Sequence, residues 1–302
     1  MSATFDRLRF YVTFPCVPIP VVEVWRILSN YLNINGYLPK QFEVSQIVGH
    51  QKKYFKKKRL KLTSEEIEQL IDDRNLDGFG IESGSNSRSL DFKLYHAKNY
   101  GMQSTFYGVV GKEAKSPNDW KPMLEILLTR FHVAGAWQWQ GLYRDWQGAN
   151  CIDSGYEEFY GELPPGFRTW QETSVDGSLP GKTLIDISQN PGRSKQLYPY
   201  SYYYPSAEMW LGPHFWQYAK CTKEEVLAAG FFIEKRETPH FLYLKCWPVA
   251  FTRPDGEQGR MQQRLWKLFF HEDCEWPPGS GTICDEPTYG PPELMPDFTK
   301  IL

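Results

Sequence analysis

The chain predicts an α+β fold, with mixed or antiparallel sheets and helices packed on one face. Three observations carry that reading. Short runs rich in β-branched and aromatic residues recur along the 302 residues. Stretches with apolar spacing i, i+3, i+4, i+7 stand between them. The order β-α-β-β-α-β fits each half, so two ferredoxin-like halves are one arrangement that the order allows. A strand ending in proline and followed by a Trp- and Leu-rich helix occurs at 9–32 and again at 241–270.

Residues 9–14, RFYVTF, read as a strand that Pro15 ends. Pro20 then suits the first turn of a helix. Val21, Val24, Trp25, Leu28, Tyr31 and Leu32 place one apolar face on it, and Asn35-Gly36 is its predicted C-cap. Thr63 with Glu66 three residues on is a capping-box pattern, and Ile67, Leu70 and Ile71 follow as an apolar face. Residues 90–96 and 104–110 are β-rich runs. Asp119 is the expected cap of a third helix carrying Pro122 in its first turn and Met123, Ile126, Leu127 and Phe131 inside. Residues 135–145, GAWQWQGLYRD, alternate with period two, which predicts a strand with Trp137, Trp139 and Tyr143 on one face.

Beyond residue 150, TLIDI at 183–187 is a predicted strand ended by the turn Asn190-Pro191-Gly192. Thr222 and Glu225 form a second capping box, with Gly230 closing the helix. Residues 231–234 and 241–247 read as a strand pair around Thr238-Pro239, and 257–270 as a helix. Residues 271–299 hold seven acidic residues, six prolines and no Lys or Arg, which makes 271–302 an extended acidic tail. The expected organisation is two closely packed halves, 1–150 and 151–302.

Hydrophobic content of 41% and charged content of 23% are those of an ordinary globular chain, and 16% aromatic residues argue against disorder. Net charge is −2, split as +5 over 1–150 and −7 over 151–302. An acidic half fits a basic partner. Cys16, Cys151, Cys221, Cys246, Cys274 and Cys284 form no CxxC, and no secretory signal or spanning helix is legible. Free thiols and a cytoplasmic location are therefore expected, with no membrane contact.

Several motifs invite a sharper reading. Lys52–Lys61 carries seven basic residues in ten beside Tyr54 and Phe55. Nucleic-acid binding is one meaning of such a run, but the acidic helix that follows balances it, so nucleic acid is not an expected partner. His271, Cys274 and Cys284 lack a fourth ligand and a zinc-site spacing, so no metal is assigned. The Gly78–Gly84 run misses the dinucleotide fingerprint by one residue, and no cofactor is assigned. No nucleophile-elbow, HExxH or phosphate-loop motif is present. A hydrolase using Asp186, His132 or His214 in an aromatic-lined cleft remains the alternative.

The densest feature is QLYPYSYYYPSAEMWLGPHFWQYAKC at 196–221, with nine Tyr, Trp and Phe residues. Such residues anchor protein interfaces through a large apolar area and a polar tip. Alternating tyrosines equally fit a buried strand face, and Trp210, Phe215 and Trp216 fit a core. From Thr183 onward, TLIDISQNPGR, SAEMWLGPHFWQYA, TKEEVLAAG and GRMQQRLWKLFF together resemble cytoplasmic immunity proteins of bacterial polymorphic-toxin and type VI effector systems. That resemblance implies a binding protein that blocks a co-encoded toxin, without catalytic residues or cofactor. The residues expected at the contact are Tyr202, Tyr203, Tyr204 and Trp210, with Glu157, Glu158, Asp273 and Asp285 as electrostatic partners.

Overall fold

The computed structural model describes residues 8–13, 21–34, 41–48, 51–58, 63–73, 78–83, 90–95, 105–110, 120–131, 133, 135–147, 163–172, 182–185, 190–198 and 201–272. In chain order these form β1 (Leu8–Thr13), α1 (Val21–Ile34), β2 (Gln41–Val48), β3 (Gln51–Lys58), α2 (Ser64–Asp73), β4 (Gly78–Ser83), β5 (Leu90–Tyr95), β6 (Thr105–Val110), α3 (Lys121–Arg130), β7 (Gly135–Gln140) and α4 (Gly141–Gln147). There follow β8 (Thr169–Glu172), β9 (Lys182–Ile185), β10 (Lys195–Tyr198), β11 (Ser201–Tyr203), β12 (Glu208–Leu211), a 3₁₀ turn (Pro213–Gln217), α5 (Lys223–Ala228), β13 (Glu234–Glu237), β14 (Leu242–Lys245) and α6 (Gly256–Phe270).

Ten strands make one antiparallel sheet in the order β13-β14-β12-β7-β1-β6-β5-β4-β2-β3. The fold is thus α+β, as the sequence predicts. Its order departs from two ferredoxin-like halves. A ferredoxin-like half places one strand between the two strands that flank its first helix. Here the meander β4-β5-β6 places three between β1 and β2. The sheet also runs across residue 150, because β7 pairs with β1 on one side and with β12 on the other.

Helices cover both faces, not one. The cause is strand alternation in the neighbouring strands β7, β12 and β14. Ala136, Trp210 and Tyr243 project to one face and join Val12, Ile67, and the buried residues of α1 and α3 in a first core. Trp137, Met209, Leu211, Leu242 and Leu244 project to the other and meet Leu265, Trp266 and Phe269 of α6 in a second. Strands buried on both sides need helices on both sides. The predicted face of α1 is the buried one, with Val24, Trp25, Leu28, Tyr31 and Leu32 inside.

Both ends of the sheet carry charge. β3, QKKYFKKK, ends it on one side, and the EKRE of β13 ends it on the other with all four residues exposed. Charged edge strands oppose the addition of a further strand from another chain. The lysine run that could suggest nucleic acid therefore lies on an edge strand.

Candidate functional site

The sequence predicts a strand through residue 145, but β7 stops at Gln140 and α4 begins at once. Gln140 makes the switch: its side-chain oxygen accepts the backbone N–H of Tyr143 at 2.5 Å, as a helix cap does. The spacing Trp139–Tyr143 fits both periods, so alternation alone could not separate them. The turn brings Tyr143, Arg144 and Gln147 over the end of the sheet.

A second loop meets them there. Asn190 to Arg193 is a tight turn closed by Arg193 N–H to Asn190 C=O at 3.1 Å. Residues 190–194 are all buried, which is unusual for a loop. The turn is pinned to α6, where the Trp266 indole N–H donates to Pro191 C=O at 2.9 Å. The Arg193 guanidinium lies 4.3 Å over the Trp266 ring. Gly192 is required for space: a Cβ there would lie 2.4 Å from the Tyr143 hydroxyl and 2.8 Å from Cδ of Gln147. Tyr143 in turn donates to Gln262 Oε1 at 2.8 Å, and the Gln262 amide donates to the carbonyls of Arg253 and Gln258, each at 3.1 Å.

Between these pieces lies a small cleft that opens to solvent. The end of β7 contributes Gln138 and Trp139, and α4 contributes Tyr143, Arg144 and Gln147. Gly192, Phe251 and the segment Tyr204-Pro205-Ser206 complete the lining. The Tyr204 ring stacks 4.5 Å from Trp139 and carries the Arg144 guanidinium 4.4 Å from its centroid. Gln147 is fully buried, yet neither its oxygen nor its nitrogen has a hydrogen-bond partner among the described residues. The same holds for Nη1 of Arg144 and Oγ of Ser206. Gln138 has the parity of Ala136 and pairs opposite Glu208, so its side chain belongs to the other face of the sheet.

The structure corrects the expected contact residues. Trp210 is fully buried between Trp120 and Tyr243, with ring centroids at 5.8 and 5.1 Å, and its indole N–H donates to Glu125 at 3.3 Å. Tyr203 is fully buried and ringed by Phe215, Trp266, Phe269 and Phe270 at 5.0–6.1 Å. Burial pushes its hydroxyl well above the usual tyrosine range. Tyr204 is 8% exposed and forms a wall of the cleft. Only Tyr202 stands half-buried, 6.2 Å from Tyr204. A run that looks like an exposed surface is thus mostly core, because aromatics from α6 and the 3₁₀ turn close over it. Glu157, Glu158, Asp273 and Asp285 lie outside the described residues, as do His132 and Asp186.

His214 is fully buried on the 3₁₀ turn and does not line the cleft. Burial raises the thiols of Cys221 and Cys246 to about 11 and about 12. Neither is an activated nucleophile. Among the described residues no group of His, Cys, Asp and Glu could hold a metal ion, and no helix is long and apolar enough to cross a membrane. Arg144, Gln147 and Ser206 carry no sequence motif. Their only flag was the Asn190-Pro191-Gly192 turn, which reads as punctuation until its burial is seen.

No protein-family model and no curated protein matches the chain. Among solved structures, the chain is similar to a T6SS protein of Pseudomonas aeruginosa. The two are 11% identical, with a TM-score of 0.49 over 91% of this chain and 77% of the other.

Proposed function

We propose that the chain is a binding protein, and that its role is immunity: it binds a co-encoded bacterial toxin in the cytoplasm and blocks its active site. One observation carries the preference for binding over hydrolysis. The cleft is lined by amides, a hydroxyl, a guanidinium and aromatic rings, with no His, Asp, Glu, Lys or Cys among its lining residues. Acid–base catalysis near neutrality needs a group that titrates there, and guanidinium and phenol do not. The resemblance of the chain from Thr183 onward to immunity proteins supplies the toxin as partner. The acidic second half favours a basic one.

In this reading the contact surface is built around Tyr202, with Glu157, Glu158, Asp273 and Asp285 as its charged rim. Tyr203 and Tyr204 pack beside it in the same core, while Trp210 lies in the core on the other face of the sheet. The test is genetic and then biochemical. Deleting this gene while its neighbour is expressed should kill the cell, and the neighbour's product should co-purify with this chain. Tyr202→Ala should weaken that complex at least about fivefold, the effect of losing a contact worth about 1 kcal/mol. A harmless neighbour that does not co-purify would remove the immunity reading.

A further inference from the structure

We infer that the exposed basic ridge of α6 is a docking surface for this chain's own acidic segment, residues 273–299, and that the docked segment keeps other polyanions off the ridge. The proposal is independent of the immunity reading, since it concerns a contact within one chain and not a toxin.

Helical spacing sets the ridge. Arg260, Arg264, Lys267 and His271 follow one another at steps of four, three and four residues, so they share one face, and all four are exposed. The opposite face carries Leu265, Trp266 and Phe269 into the second core. No carboxylate pairs with Arg260 or Arg264 among the described residues. The setting is basic as well. The described residues beyond 150 hold thirteen Lys and Arg against nine Asp and Glu, although that half as a whole is acidic. Like charges in a row along one helix face repel each other, and an extended anionic chain relieves that repulsion.

The sequence supplies such a chain at the end of the same helix. Residues 273–299 carry six Asp and Glu and no Lys or Arg. The backbone turns back where it leaves α6: His271 adopts the left-handed conformation, φ 56°, that ends a helix and reverses direction. Glu272 then accepts from Lys195 Nζ at 2.8 Å. That ammonium lies 5.3 Å from the Phe270 ring and 5.9 Å from the Trp266 ring. The two rings stand one turn apart on α6, so Glu272 is held back over the last turn and not beyond the helix end. Length does not limit the contact. Arg260 to His271 spans about 16 Å of helix, which about five extended residues cover. Attachment at Glu272 also gives the segment an effective concentration on the order of mM, which an outside polyanion has to overcome.

The experiment treats the full chain with a water-soluble carbodiimide, which joins Lys amines to Asp and Glu carboxyls, and maps the links by mass spectrometry. Lys267 is expected to link to Asp285, Glu286, Glu293 or Asp297 within the monomer, at a yield independent of protein concentration. Arg260→Glu with Arg264→Glu should cut that yield about threefold to tenfold. A labelled DNA duplex reports the shielding. The full-length variant with Asp285→Asn, Glu286→Gln, Glu293→Gln and Asp297→Asn should bind it at least about fivefold more tightly than wild type, and adding Arg260→Gln and Arg264→Gln should erase the gain. Absence of those Lys267 links overturns the proposal. So do links found only between two chains, which assign the ridge to a second copy. An unchanged DNA affinity overturns it too, as does a gain that survives the loss of both arginines. The wild-type cross-links decide the matter even where a variant fails to fold.

Discussion

Trp266 of α6 donates its indole N–H to the carbonyl of Pro191 at 2.9 Å, across 75 residues of chain. The bond ties the buried 190–194 turn to the helix that closes the second core. Trp266→Phe keeps the apolar bulk but strands a buried carbonyl. It should cost about 1–3 kcal/mol in chemical denaturation. The ring-deleting Trp266→Ala should cost about 3–5 kcal/mol.

Tyr203 separates a packing role from a contact role. Its ring is fully buried, and its hydroxyl has no hydrogen-bond partner among the described residues. Tyr203→Phe should therefore leave stability unchanged or raise it, while Tyr203→Ala should lose about 3–5 kcal/mol through the cavity left behind. Thermal and urea unfolding of both variants measure this. A large loss in Tyr203→Phe would mean that the hydroxyl is hydrogen-bonded after all.

Glu208 lies on β12 between two lysines, paired with Lys121 and, at 3.2 Å, with Lys245, and it accepts the Tyr243 hydroxyl at 3.2 Å. Glu208→Gln would leave two cations facing each other across a largely buried amide. A loss of about 1–3 kcal/mol is expected. Adding Lys245→Met should recover part of it, as a double-mutant cycle would report.

Thr222 caps α5 by accepting the N–H of Glu225 at 3.2 Å, and Glu225 returns the bond to the N–H of Thr222 at 2.7 Å. Thr222→Ala should cost about 1 kcal/mol, and Thr222→Ser almost nothing. Urea midpoints compared at equal slope give the answer.

Alkaline pH should weaken the fold through Cys246. Burial raises its thiol from 9.0 to about 12. The folded state favours the neutral thiol, while the unfolded chain releases the proton more readily. The contribution is intact below pH 9 and is lost as pH rises toward 12. Stability at about pH 8 and about pH 10 should therefore differ less in Cys246→Ala than in the wild type.

Local chemistry made much of the fold legible. The apolar stripe of α1 and the capping boxes at Thr63 and Thr222 were readable because they depend on neighbours within a turn. The Asn190-Pro191-Gly192 turn was readable as a turn, though not as a buried one. What the sequence hid was decided at long range. Tyr203 is covered by Phe269 and Phe270 of α6, more than sixty positions away, and no local pattern announces that cover. The cleft was hidden for the same reason. Arg144 and Gln147 look like ordinary polar residues until Tyr204 and Gly192 arrive beside them.

The place of β7 has a practical meaning. It belongs to the first 150 residues by position, yet it pairs with β12 of the second half through Gly135–Gln138. Expressing residues 1–150 alone would strip that neighbour and bare a row of backbone N–H and C=O groups beside Ala136 and Trp137. Such a fragment would recruit strands from other copies and aggregate. The chain should instead lose its structure as one cooperative unit, with a single transition for both cores.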